Sequence, residues 1–157
     1  MDRDVAPKHD KPHRPLPLAL FAMIVAIVFE ALPYVVVVYN WQSSEMTYVP
    51  EYYSAFDLTP FDLTPYGYSN VGPLLAAVLT VLAGILYLLA LLTRRRGLTT
   101  AGLVTNLIAV AASFLPLIML GSRYYPMMDL AITLTLIAGA ILGIAAKFAS
   151  RHDQPQQ

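Results

Sequence analysis

Four long apolar runs, at about 16–39, 72–93, 99–121 and 130–148, limit the folds open to this chain more than any other feature. A helix rises 1.5 Å per residue, so about 20 apolar residues cross a hydrocarbon core of about 30 Å. Each run is near that length. Charged residues make up 13% of the 157 positions, against about 25% in an ordinary soluble domain. Most of the surface therefore faces lipid. The sequence predicts an all-α integral membrane protein, an antiparallel four-helix transmembrane bundle spanning residues 15–149. Polar tails flank it at 1–14 and 150–157, with a cytoplasmic turn at 94–98 and outer loops at 40–71 and 122–129.

Basic residues set the orientation. Arg94, Arg95 and Arg96 are three of the ten Lys and Arg, and they sit together between two apolar runs. Cytoplasmic loops carry the excess of Lys and Arg. With both termini inside, Arg3, Lys8, Lys11, Arg14, Lys147 and Arg151 join these topology determinants on the cytoplasmic face, and Arg123 lies outside. The expected location is the plasma (cytoplasmic) membrane. The first apolar run exceeds the ~7–15 residues of a cleavable signal core, and no A-x-A pattern ends it. It reads as an uncleaved first span.

Glu30 is the one acidic residue placed inside an expected span. Pro33 lies three residues later and should kink the helix by removing a backbone donor. Tyr39 and Trp41 mark the outer boundary, where amphipathic rings settle. In the second span Pro73 suits the first turn, and Ala76, Thr80, Ala83, Gly84 and Tyr87 fall on one face. The third span carries Asn106 and Ser113, with Pro116 near its outer end. The fourth has Thr135, Gly139 and Gly143 at four-residue spacing. Gly84, Gly139 and Gly143 are the expected helix-packing positions, where small residues let backbones approach.

The large outer loop holds Glu45, Glu51, Asp57 and Asp62 and no Lys or Arg. It is rich in Tyr and Pro and repeats itself: Phe56-Asp-Leu-Thr-Pro60, then Phe61-Asp-Leu-Thr-Pro65. Each copy reads as a turn, with Asp bonding backbone two residues on and Pro fixing φ. So many rings predict an ordered aromatic cap rather than a solvated linker.

A charge at depth costs about 2.5–3.5 kcal/mol on insertion scales, so Glu30 should face the bundle interior. It lies roughly 13 Å below the outer end of its expected helix, and Thr80, Ser113 and Thr135 come to roughly 8–12 Å on theirs. Tyr34 stands one turn above Glu30. These five residues form the candidate intramembrane polar site. Three readings follow: a proton- or cation-coupled site or cationic-ligand point, a protonated Glu fixing helix register, or a pairing with a partner protein's basic residue.

Catalytic signatures are missing from the sequence. There is no Cys, no phosphate loop, and no nucleophile or zinc motif. His9, His13 and His152 lie in the tails. No enzyme activity, cofactor or metal is expected. Zero net charge without a basic stripe argues against nucleic acid as a partner.

The stretch from Phe61 through Asp62, Leu63, Thr64, Pro65, Tyr66, Gly67, Tyr68, Ser69, Asn70, Val71 and Gly72 to Pro73, followed by Leu79-Thr80, resembles small, uncharacterised four-span membrane proteins of Gram-positive bacteria. That resemblance implies the same four-span topology and a bacterial membrane, and it brings no activity or ligand. A large first and small second outer loop also resemble claudin-type proteins, but those need a disulfide in the first outer loop.

The expected function is a non-catalytic accessory or interaction subunit of a plasma-membrane assembly. Its partners would be the lipid bilayer and either another membrane protein or further copies of itself. The alternative is a small proton- or cation-coupled transporter, or a channel-like oligomer, using Glu30.

Overall fold

The computed structural model describes residues 15–32, 34–40, 47–57, 67–120 and 127–152. In chain order its elements are α1 (Pro15–Ala31), β1 (Tyr34–Asn40), β2 (Thr47–Tyr53), α2 (Gly67–Thr93), α3 (Arg96–Ser113), α4 (Leu115–Leu120) and α5 (Met127–His152). Helices α1, α2, α3 and α5 form a ring. α2 packs most extensively on α3, α3 on α5, α5 on α1, and α1 on α2. Only Arg94 and Arg95 separate α2 from α3, so α3 must return along its predecessor.

The first apolar run is not one helix. It is helical to Ala31, and from Tyr34 it becomes a strand. Leu32 precedes Pro33, and a residue before proline is pushed out of the α region. The next residues, Tyr34-Val-Val-Val-Val-Tyr39, are β-branched and aromatic, which favours a pleated strand. The expected kink is replaced by a helix end. β1 and β2 pair antiparallel, from Tyr34 opposite Tyr53 to Asn40 opposite Thr47. The body of the fold is helical, as expected, and a two-stranded hairpin is added to it in the first part of the expected aromatic cap. The second Phe-Asp-Leu-Thr-Pro copy, with Asp62, lies outside the described residues.

The third run is also divided. Pro116 has no N–H to donate to Ala112. α3 closes at Ser113, where the Phe114 N–H donates to Ala111 O at 3.3 Å, and α4 starts at Leu115. Among the described residues two helices are long and apolar enough to cross a membrane, Val71–Thr93 and Asp129–Ala149. α1 is apolar but has 17 residues, about 26 Å of helix.

The interior is built from small residues. Ala19, Ala22, Met23, Ala26 and Glu30 are the buried face of α1, at the 3–4 residue spacing of one helix stripe. On α2 the inward face is Ala76, Ala77, Thr80, Ala83, Gly84, Tyr87 and Ala90. The large aliphatics point the other way: Phe21 is 62% exposed, Val78 54%, Leu134 57% and Ile141 61%. A fold built for water puts its bulky apolar side chains inside. Here Ala, Gly, Thr, Asn and Glu make up much of the interior, around Met23, Tyr87, Leu103, Ile132 and Leu136, and many Leu, Ile, Val and Phe side chains are outside.

Candidate functional site

Glu30 is 1% exposed at the end of α1. Helix geometry puts it on the same stripe as Ala19, Ala22, Met23 and Ala26, so it faces α2 and α5 rather than the outside. Thr80 Oγ1 lies 2.8 Å from Glu30 Oε1 and also 2.8 Å from Ala76 O, one turn back on its own helix. Each contact needs a hydrogen between two oxygens, and a hydroxyl carries one. The Thr80 hydroxyl donates to Glu30 Oε1 and shares that hydrogen with Ala76 O. The pair ties α1 to α2. Glu30 Oε2 has no hydrogen-bond partner among the described residues.

The backbone of Glu30 makes a second link. The last four carbonyls of a helix lack intrahelical donors. At the end of α1 the Leu32 N–H reaches Val28 O at 3.1 Å, and the Ala55 N–H donates to Glu30 O at 2.9 Å. Ala55, 1% exposed, follows directly on β2 and Ser54. The turn there is closed by Asp57, whose Oδ2 accepts from Ser54 Oγ at 2.7 Å and Ser54 N at 3.0 Å. These bonds hold the Asp57 carboxyl below the usual carboxylate range. Asp57 thus bonds back to Ser54, and the forward bond expected within its own repeat falls on residues 58–60, outside the described residues.

The remaining candidate residues do not gather around Glu30 as one layer. Ser113 accepts from Thr133 Oγ1 at 2.9 Å, a tie between α3 and α5. Thr135, named from the sequence, donates instead to Ala131 O in its own helix. Tyr34 belongs to β1, so it is not one helical turn above Glu30, and its side chain lies outside the described ones. Asp129, expected in a loop, lies in the first turn of α5 and is 8% exposed.

A further polar node joins α2, α3 and α5. Asn106, fully buried, donates from Nδ2 to Leu136 O at 3.3 Å. Tyr87 beside it is fully buried too. Tyr87 Oη and Asn106 Oδ1 have no partner among the described residues. Glycines make room for this node. A Cβ on Gly102 would stand 2.8 Å from Tyr87 Cδ1, and one on Gly143 would overlap Tyr87 Oη. A Cβ on Gly139 would overlap Met23 Cε and stand 3.1 Å from Asn106 Nδ2. Gly84 differs, since its nearest neighbours to a Cβ are Met23 Cβ at 3.6 Å and Ile27 Cδ1 at 3.8 Å.

Sequence reasoning missed Thr133, Asp129, Gly102 and the Ser54–Ala55 link. Periodicity held the signal for the first two: 129, 132, 133, 136, 140 and 143 recur at 3–4 residue steps and are all buried. Strict four-residue spacing had favoured Thr135. No group of three or more His, Cys, Asp or Glu side chains able to hold a metal occurs among the described residues. Arg94, Arg95 and Arg96 are exposed at the α2–α3 turn. The chain matches no protein-family model, no curated protein and no solved structure.

Proposed function

We propose that this chain is a non-catalytic integral protein of the plasma membrane that serves as an accessory or interaction subunit of a larger assembly. The observation that carries the reading is the packing: an interior made mostly of small and polar residues, with many Leu, Ile, Val and Phe side chains left exposed among the described residues. Only lipid or a membrane partner accepts such a surface without a hydrophobic penalty. α2 and α5 cross fully. α1, at 17 residues, is at the short limit for a span. The α3–α4 pair completes the fourth crossing. The positive-inside rule puts both termini and the Arg94–Arg96 turn in the cytoplasm.

The polar groups of the interior support a structural role. Glu30–Thr80 ties α1 to α2, Ser113–Thr133 ties α3 to α5, and Asn106 ties α3 to the backbone of α5. Such ties fix register where the surroundings are apolar. Glu30 is sealed within its own bundle, so a partner's basic residue would have to displace Thr80 to reach it.

Native co-purification tests the proposal. The C-terminally tagged chain, extracted in mild detergent, should bring down one reproducible larger membrane protein in fixed stoichiometry. A lone homo-oligomer would overturn the subunit role. Glu30 Oε2, without a hydrogen-bond partner among the described residues, favours one second reading, a proton- or cation-coupled carrier. That reading requires flux by the purified chain in liposomes and loss of coupling in Glu30→Gln.

A further inference from the structure

We infer that the Arg94–Arg96 turn, with the outer face of α2 leading into it, is a docking surface for an anionic phospholipid. The inference rests on the membrane reading above. All three arginines are exposed, and none forms an ion pair with a carboxylate among the described residues. Thr93, the neighbour able to shield them, donates its hydroxyl to Leu89 O at 2.7 Å. Guanidinium groups match phosphate oxygens as paired donors, and basic clusters at the cytoplasmic ends of spans attract anionic headgroups.

The adjoining surface has the shape of a lipid tail. Ile85, Leu88, Leu89 and Leu92 stand at offsets 0, 3, 4 and 7, one helix face, and are 48%, 45%, 41% and 72% exposed. This stripe ends at the arginines, so an apolar track runs directly into a cationic head. The partial positive charge at the start of α3 adds to the same place. Its N-cap, Arg95, makes no side-chain cap, and nothing stands within 4 Å of a Cβ on Gly97.

Arg94 makes the surface separable from the fold. Its φ is 53°, the left-handed conformation that glycine adopts freely and that costs other residues. This is the usual glycine position after a helix. Fold stability alone would favour glycine there, whereas phosphate binding needs the arginine. Stability and lipid selectivity should therefore move in opposite directions in Arg94→Gly.

The test uses the full chain purified in a neutral detergent, with phosphatidylglycerol and phosphatidylcholine of identical acyl chains and with inorganic phosphate as separate probes. Retention is read by native mass spectrometry and stability by thermal unfolding. The wild type should retain phosphatidylglycerol over phosphatidylcholine and gain nothing from inorganic phosphate. Arg94→Gly should melt higher in detergent alone yet lose about fivefold in lipid preference, the share of one arginine near a membrane surface. The triple change to Gln should abolish the preference. Equal retention of both lipids by the wild type, or an undiminished preference in Arg94→Gly, would overturn the inference. So would a response to inorganic phosphate matching that to phosphatidylglycerol. A chain that stays soluble and monodisperse without detergent would instead overturn the membrane reading itself.

Discussion

Adding one methyl group at Gly143 should destabilise the bundle, and removing one oxygen from Tyr87 should restore it. The Cβ of Gly143→Ala overlaps Tyr87 Oη and comes to 3.3 Å from Tyr87 Cζ and 3.2 Å from Leu103 Cδ1. Tyr87 cannot swing away, because its ring already lies against Gly102 on the other side. Overpacking of this kind costs about 1–3 kcal/mol. Alanine also gains up to about 1 kcal/mol of helix propensity over glycine, which confuses a single variant. Gly84→Ala provides the control. It gains the same propensity, and its new methyl meets ordinary contacts at 3.6 and 3.8 Å. The propensity term cancels between the two variants, so their difference is the overpacking cost, about 1–3 kcal/mol. Tyr87→Phe deletes the overlapped oxygen, whose hydroxyl has no partner among the described residues. It should cost little alone and should recover most of the loss in the double variant, a coupling of about 1–2 kcal/mol. Unfolding titrations of the four proteins in mixed detergent micelles measure all the terms. Equal stability of Gly143→Ala and Gly84→Ala, or strictly additive effects of Gly143→Ala and Tyr87→Phe, would refute the reasoning.

Other consequences can be checked in the same preparations. Thr80→Val strips the buried Glu30 carboxyl of its hydroxyl partner and should cost about 1–3 kcal/mol, whereas Glu30→Gln keeps an oxygen that accepts from Thr80 Oγ1 and should fold nearly as well; equal losses would refute the Thr80–Glu30 tie. Thr133→Val should lower stability by about 0.5–1.5 kcal/mol through its bond to Ser113, and Thr135→Val, whose bond stays within α5, should stay within about 0.5 kcal/mol; the reverse order in unfolding titrations would sink the assignment. Asp57 is held below the usual carboxylate value, so its turn is intact above that value and loosens as pH falls through the lower, folded one. The Ser54 amide resonance should titrate with a midpoint below about 3.9, and a midpoint at or above it would remove the Ser54–Asp57 bonds as the cause.

The apolar runs and the charge pattern were readable directly, because they depend on composition over windows of about 20 residues. α2 shows this in part: a small-residue face and the basic turn after it are sequence properties, but the helix starts at Gly67, so Pro73 lies inside it and not in the first turn as expected. Helix ends were harder. An unbroken apolar run does not say whether Tyr34–Tyr39 continues a helix or starts a strand. Pro33, the valines and the strand partner at Thr47–Tyr53 decide it together, and that partner lies across a loop. Pairings between helices were not readable at all. Depth along each helix put Thr80 and Thr135 both in the layer of Glu30, yet only rotation about the helix axis determines which hydroxyl faces which neighbour. That rotation is set by the glycines under Tyr87 and Asn106 and by the small-residue faces that close the ring. The sequence by itself determined that this chain is built from long apolar helices with a basic turn, Arg94–Arg96, between two of them. Tertiary structure alone decided that Glu30 meets Thr80, that Ser113 meets Thr133, and that Tyr87 fits over Gly102 and Gly143. Composition acts along one chain segment, whereas a hydrogen bond or a steric notch needs two helices at fixed depth and rotation.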